Sequence, residues 1–362
     1  MSDIDPLAAL KRQALAEWNF PDRSSRTVEV GEAAFESERA PPRARSGLEI
    51  GHSVDSKTGR RRLELRVSAE RGPNFERAKA IQRFASKEGV ESILLTSAKP
   101  DASEEGPRPS PKVCGRRRPL HLGASVSHKN ASAGSLGAFV RLPDGRPGFI
   151  SCGHVLARLD RPDKPKKKWG DLADPIHQPG WPDEDPVVVG SRVGALEDFS
   201  PFVGGRGTNL DAAVAALDPL AQHMGNVIPD LPCVPPNLRG RAVGPPIAAS
   251  ELVTGMRVVK MGRTTGLTEG TLEAFHFVNV RVSFGADSVT FFELHEVRWD
   301  DGWEKDESKR YAANGDSGSL VLLEEGLRPL GLHFASVQRA GFRASYVVAW
   351  PRISSAFGLN LL

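Results

Sequence analysis

The chain has 362 residues, 39% of them hydrophobic and 26% charged, with 48 Lys and Arg against 45 Asp and Glu. A net charge of +3 excludes binding to nucleic acid or an acidic membrane through bulk charge, and the length carries a prior of two domains. Three cysteines, Cys114, Cys152 and Cys233, are odd in number and far apart, so they suggest neither a disulfide framework nor a paired-cysteine zinc site and predict a reducing compartment.

In chain order, Met1 to Pro6 is acidic and lacks the basic start and apolar stretch of a secretory signal. No apolar run approaches the roughly 20 residues needed to cross a bilayer, so the expected location is cytoplasmic, with no membrane partner. Leu7 to Trp18 reads as a short amphipathic helix and is followed by an Arg- and Glu-rich stretch with little periodicity, which makes residues 1–46 a flexible, partly helical N-terminal segment. Residues 47–99 read as a small α+β module. Leu48 and Ile50, a turn at Ser56-Lys57-Thr58-Gly59, and Leu63, Leu65 and Val67 alternating with Glu64 and Arg66 predict a hairpin. Asn74 is a candidate cap for a helix whose apolar stripe is Phe75, Ala78, Ile81, Phe84 and Ala85; Gly89 closes it and a strand follows from Ser92 to Thr96.

Residues 100–119 are rich in proline and mixed charge, the composition of a stiff exposed linker. Residues 120–362 then form the main domain. It carries many short β-like runs broken by Gly and Pro: Ala138 to Arg141, Gly148 to Ser151, Val187 to Val189, Ala212 to Ala216, Arg257 to Met261, Gly270 to Ala274, Val278 to Val282, Val289 to Leu294, Ser319 to Leu323 and Leu330 to Phe334. Such spacing predicts a mainly β barrel or sandwich. A helix over about Arg352 to Phe357 closes it, and Asp218 to Ser250 and Trp299 to Tyr311 read as long loops near a cleft.

The strongest local signal is Asn314-Gly315-Asp316-Ser317-Gly318-Ser319 ahead of the apolar run Leu320 to Leu323. A serine alcohol is a weak nucleophile at neutral pH; it needs an adjacent base and donors for the oxyanion its attack creates. Flanking glycines let the turn present the N–H groups of Gly315 and Ser317 to one point, although the tetrapeptide alone is equally an ordinary surface turn. Of nine histidines, His154 ends the apolar run Phe149-Ile150-Ser151-Cys152-Gly153, a setting that can aim an imidazole into a cleft on a fixed backbone. Asp211, ahead of the small-residue run Ala212 to Ala216, is the candidate carboxylate that fixes the imidazole tautomer. Singly, His154 reads equally as a satisfied core histidine, and Asp211 equally as a solvated turn aspartate or a strand cap. Together the three follow the chain order His, Asp, Ser, each joined to a short strand of one all-β region.

These residues resemble the trypsin-like, chymotrypsin-fold serine peptidases, with two β-barrels and the triad in the cleft between them, over Gly123 to Leu362. Three stretches are similar to the bacterial streptogrisin-type enzymes and the intracellular plant proteases of the narrow-leaf type: Ser132 to Val140, Asp174 to Gly180, and Val259 to Thr271 with its Gly262-Arg263-Thr264-Thr265-Gly266 run. The resemblance implies a double β-barrel with a small N-terminal α+β module, a serine endopeptidase acting through an acyl-enzyme, His154 as general base, Asp211 as its orienting carboxylate, Ser317 as nucleophile, and Gly315 with Ser317 as oxyanion donors. It also implies a salt bridge between Asp316 and Arg263 that supports the oxyanion turn.

The substrate pocket implied by the resemblance involves Tyr311, six residues before the nucleophile, Ala312 and His333. Tyr311 argues against cleavage after Lys or Arg. His333 resembles the histidine with which glutamate-specific relatives meet an acidic side chain, against the alternative of a buried structural histidine. The expected partners are a protein or peptide substrate and a regulatory partner acting through the N-terminal module. The competing reading is an idle barrel that binds without cleaving. The runs Arg60 to Arg62, Arg116 to Arg118 and Lys166 to Lys168 read as solvated faces, not a nucleic-acid surface, and neither a metal nor another cofactor is implied.

Overall fold

The structure, a computed structural model, describes residues 48–54, 58–67, 72–96, 114–159, 169–181, 183, 191–202, 210–278, 280–284, 287–299, 310–339 and 342–362. The expected helix at Leu7 to Trp18, the strand at Val187 to Val189, most of the linker and most of the Trp299 to Tyr311 loop lie outside the described residues.

The alternation at Leu63, Leu65 and Val67 builds β2 (Arg61–Val67), which pairs antiparallel with β1 (Leu48–Val54) in register from Leu48↔Val67 to Val54↔Arg61. The helix α1 (Pro73–Lys87) begins two positions earlier than the Asn74 cap would place it. Its N-cap is Gly72, with φ 99°, and Pro73 occupies the first turn, where a missing N–H costs nothing and a fixed φ favours entry. Asn74 is therefore inside the helix. Ala78, Ile81 and Ala85 pack on Leu48, Ile50, Leu63, Leu65 and Val67, and Gly89, at φ 71°, lets the chain leave into β3 (Glu91–Thr96). The helix is the crossover that makes β3 parallel to β2.

Of the expected linker, the described end is docked on the main domain: Cys114 is buried and Gln178 Oε1 accepts the N–H of Arg117 at 2.9 Å. The main domain then runs β4 (Ser125–His128), β5 (Gly134–Ser135), β6 (Ala138–Arg141), β7 (Pro147–Ser151), α2 (Gly153–Leu156), β8 (Pro175–His177), β9 (Arg192–Phe199), β10 (Ala213–Leu217), β11 (Arg257–Gly262), β12 (Gly266–Val278), β13 (Val280–Phe284), β14 (Asp287–Phe291), β15 (Leu294–Trp299), β16 (Leu320–Leu323), β17 (Pro329–Arg339), β18 (Phe342–Ala349), α3 (Trp350–Phe357) and β19 (Asn360–Leu361). Two strands expected as continuous are broken. The expected Val278 to Val282 strand is divided between β12 and β13, and Val289 to Leu294 between β14 and β15, with Glu293 at φ 55° in the intervening turn.

The fold is mainly β and adopts the expected double-barrel arrangement. In the first barrel the sheet order is β19-β6-β7-β10-β9-β8-β4-β5. In the second, β11-β16-β17-β18-β15-β12 closes into a ring because β11 also pairs with β12, in register from Arg257↔Thr271 to Gly262↔Gly266. The hairpin β13–β14 stands apart as its own two-stranded sheet. The module continues the second barrel's sheet: β1 pairs with β12 at Ile50↔Val278 and His52↔Phe275. One apolar cluster, with Leu136, Phe139, Ile150, Val214, Leu332 and Phe334 among its members, spans both barrels; another, around Val258, Leu272, Val297 and Val347, belongs to the second. The expected Asp218 to Ser250 loop is a connection in which Asn226 bonds the backbone of Phe139 and Leu362.

Candidate active site

The antiparallel pairing of β7 with β10, Ser151↔Ala213 through Gly148↔Ala216, brings His154 and Asp211 together from 57 positions apart. After β7 the chain turns through Cys152 into α2, so the imidazole rises from a short, fixed element. Asp211 is fully buried and uses both oxygens on this one residue: Oδ2 meets His154 Nδ1 at 2.6 Å and Oδ1 accepts the His154 backbone N–H at 3.0 Å. A two-point grip of this kind fixes ring orientation and the tautomer with the proton on Nδ1, which leaves Nε2 as the basic nitrogen.

The Gly315 to Gly318 turn lies against that segment. Gly318 has φ 91°, and a Cβ there would lie 2.0 Å from Ser151 Oγ, 2.5 Å from the Ser135 carbonyl and 3.1 Å from Cys152 N, so glycine is required both by backbone conformation and by contact. The turn is anchored on two sides: Ser135 N–H donates to the Ser317 carbonyl at 2.8 Å, Ser135 Oγ to the Gly315 carbonyl at 3.0 Å, and Gly318 N–H to the His333 carbonyl at 2.8 Å. Among the described residues, the N–H groups of Gly315 and Ser317 donate to no acceptor, and the Ser317 hydroxyl makes no hydrogen bond, to His154 or otherwise.

The carboxylate of Asp316 points away from Ser317 into the second barrel and is fully buried. Five donors meet its two oxygens: Lys260 Nζ at 3.0 Å, Thr265 Oγ1 at 2.7 Å, and the N–H groups of Ala313, Thr264 and Thr265 at 3.0, 2.9 and 3.1 Å. Burial works against its charge, yet Lys260 and the Thr265 hydroxyl outweigh it and hold the carboxyl below its ordinary range. The expected Asp316 to Arg263 salt bridge is not the one formed. Arg263 faces the first barrel, where Nε and Nη2 grip Asp183 at 2.6 and 2.5 Å, a bidentate pair that a guanidinium makes and an ammonium cannot. Its Nη1 still borders the turn, since a Cβ on Gly315 would come within 2.1 Å of it.

The pocket residues behave differently from one another. Tyr311 and Ala312 belong to the second barrel's apolar core; Tyr311 is fully buried, edge-on to Trp299 at 5.8 Å, with Lys260 Nζ 4.9 Å from its ring centre. His333 is buried too, its Nδ1 is 2.6 Å from Ser345 Oγ, and burial, then Lys260, push its imidazole down to about 3. It is a neutral anchor whose carbonyl accepts from both Gly318 N–H and the Cys152 thiol, the latter at 3.3 Å. Burial also pushes the Cys152 thiol well up. Its sulfur lies within 4.8 Å of ligand atoms on His154 and Asp211, a donor set of the type that binds a metal, but the two side chains of that set are already spent on each other.

Beside the histidine stands an aromatic group from the other hairpin. Phe284 lies 5.6 Å from the His154 ring and Arg158 donates to its carbonyl at 3.3 Å, while Phe291 lies 4.9 Å from Phe334. Sequence reasoning missed Phe284, Asp183, Ser135 and Lys260. For Lys260 a signal exists, because a lysine inside Val258-Val259-Lys260-Met261 places a charge in an apolar strand and therefore demands a partner. Asp183 is one of several acids in Asp183-Glu184-Asp185, and nothing in the sequence singles it out.

The chain is similar to solved proteases. The Nocardiopsis protease aligns at 18% identity over 67% of this chain and 98% of that one, with a TM-score of 0.44. Thermobifida fusca protease A aligns at 17%, over 67% and 98%, with 0.42. A glutamic acid specific serine protease with a histidine triad in substrate binding aligns at 20%, over 67% and 100%, also with 0.42. The sequence matches no protein-family model and no curated protein.

Proposed function

We propose that the chain is a serine endopeptidase that hydrolyses peptide bonds through an acyl-enzyme. Ser317 attacks the carbonyl, His154 Nε2 takes its proton and later returns it to the leaving amine, and Asp211 stabilises the imidazolium. The N–H groups of Gly315 and Ser317 receive the oxyanion. The observation that carries this reading is the buried two-point grip of Asp211 on His154, with the Ser317 turn packed against the same segment. A fluorophosphonate probe is expected to label the wild type at Ser317 and to leave Ser317→Ala unlabelled; an unlabelled wild type, over the pH range in which it stays folded, rejects the reading.

A second reading, the idle barrel that binds without cleaving, is favoured by the open Ser317 hydroxyl and by Phe284 standing against His154. It predicts no labelling of the wild type. The substrate is a protein or peptide, and the buried, neutral His333 bonded to Ser345 supports an anchoring role over recognition of an acidic side chain. Three free cysteines, one of them exposed Cys233, support a reducing compartment and a cytoplasmic location. A regulatory partner would act through the module, whose β1 is joined to the long strand β12.

A further inference from the structure

The cation that serves Asp316 sits on an unexpected residue. Lys260 projects from β11 into the second barrel and is fully buried. It donates to Asp316 Oδ2 and to Thr265 Oγ1, each at 3.0 Å, and Asp316 immediately precedes the serine. Space is tight around the pair: a Cβ on Gly262 would lie 2.2 Å from Asp316 Oδ1 and 3.0 Å from Lys260 Nζ. Arg263, the other cation near the turn, is committed to Asp183. Of these two cations, Lys260 serves the turn and Arg263 serves Asp183.

We propose that Lys260 is the positioning residue of the nucleophile turn, its buried ammonium holding Asp316 so that Gly315 and Ser317 present their N–H groups together. The reacting role of those N–H groups rests on the peptidase reading; the hold of the lysine on the turn does not. Without the ammonium, Asp316 is a buried carboxylate lacking its counter-charge, and it either takes a proton or drags the turn towards solvent. Either change moves Gly315 relative to Ser317. The charged and titratable groups facing Lys260 are Asp316 from the turn, Tyr311 across its ring and His333 from β17. Burial pulls the ammonium below the ordinary lysine range against the pull of Asp316, so the proton leaves at lower pH than from an exposed lysine. The turn then fails on the alkaline side.

Four proteins test this: the wild type, Lys260→Met, Lys260→Met with Asp316→Asn, and Lys260→Arg. Amide hydrogen exchange over residues 311–319 is expected to accelerate about 10-fold or more in Lys260→Met while β6, β7 and β10 keep wild-type protection, and to recover in part in the double variant, which removes both charges. Fluorophosphonate labelling is expected to fall about 100-fold in Lys260→Met, the scale of losing one oxyanion donor. Lys260→Arg keeps the charge and moves the alkaline limb of labelling to higher pH, a shift that mere filling of space would not cause. Wild-type exchange over 311–319 in Lys260→Met overturns the proposal, as does an alkaline limb unmoved in Lys260→Arg. A wild type inert to the probe removes the peptidase reading alone, because the exchange comparison still decides the role of the lysine. Should Lys260→Met not fold, the double variant and Lys260→Arg carry the same comparison.

Discussion

The Gly315 to Gly318 turn and the junction between module and barrel both bury charge, and they do so with opposite completeness. At the turn every oxygen of Asp316 is met, by five donors from three segments. At the junction Arg66 Nη2 meets Glu64 at 2.6 Å and Glu296 at 2.8 Å, all three side chains are buried, and Arg66 Nε and Nη1 have no partner among the described residues. The direction of titration follows. Asp316 is held below its ordinary range, whereas burial lifts the Glu64 carboxyl, and Arg66 and Ser53 only partly oppose it. A buried ion is tolerated where its hydrogen bonds are complete; where they are not, the fold leans towards the neutral form.

The largest effect expected from this contrast is at the turn. Asp316→Asn leaves Lys260 without its counter-charge and is expected to cost about 3–5 kcal/mol of stability, the scale for breaking a buried pair, measured by urea unfolding. Arg66→Met should cost less, about 2 kcal/mol, because its pairs are incompletely satisfied and Glu64 already leans to the neutral form. Adding Glu64→Gln and Glu296→Gln should restore part of that loss. Equal costs for Asp316→Asn and Arg66→Met would break the comparison.

The two carboxyls should also respond to pH in opposite senses. The Asp316 contribution is present above its unfolded value of 3.8 and is lost as pH falls through its lower folded value. Glu64, raised from 4.5, favours the folded state at lower pH and withdraws that support as pH rises from about 4.5 towards its higher folded value. Amide exchange in β1 to β3 should therefore quicken relative to the turn on passing upward through that window, and a parallel response in both regions would contradict the assignment. The smallest effect is expected at the surface, where Arg146 meets Asp144 and Glu197 at 2.6 and 2.7 Å in half-exposed geometry. Asp144→Asn should leave the melting temperature unchanged within error.

Much of the second barrel was legible because its strands carry their own punctuation: Arg257 to Met261 and Ser319 to Leu323 alternate or run apolar between glycines, and both emerge within one residue of expectation. β9, β15 and β18 were not legible as strands of their own. Arg192 to Phe199 mixes Gly194, Glu197 and Asp198 into its run, so its strand character comes from pairing with β8 and β10 and not from local pattern. At the candidate site, the grip of Asp211 on His154 follows the expected pairing because both residues stand at ends of readable strands. The Asp316 partner was misread because Lys260 turns inward from β11 to the buried carboxylate, whereas Arg263, beyond the end of that strand, is taken by Asp183, a residue nothing in the sequence singles out.

The long strand β12 belongs to two structures at once. Near its beginning it is stitched to β11, the strand of Lys260, and near its end to β1 of the module. Bonds between antiparallel strands lie across the strand direction, so a pull along β1 loads the β1–β12 contacts in shear, together and not one by one. The module is in this sense a mechanical handle: tension applied to it enters β12, the same strand that pairs with β11 and so with the strand of Lys260.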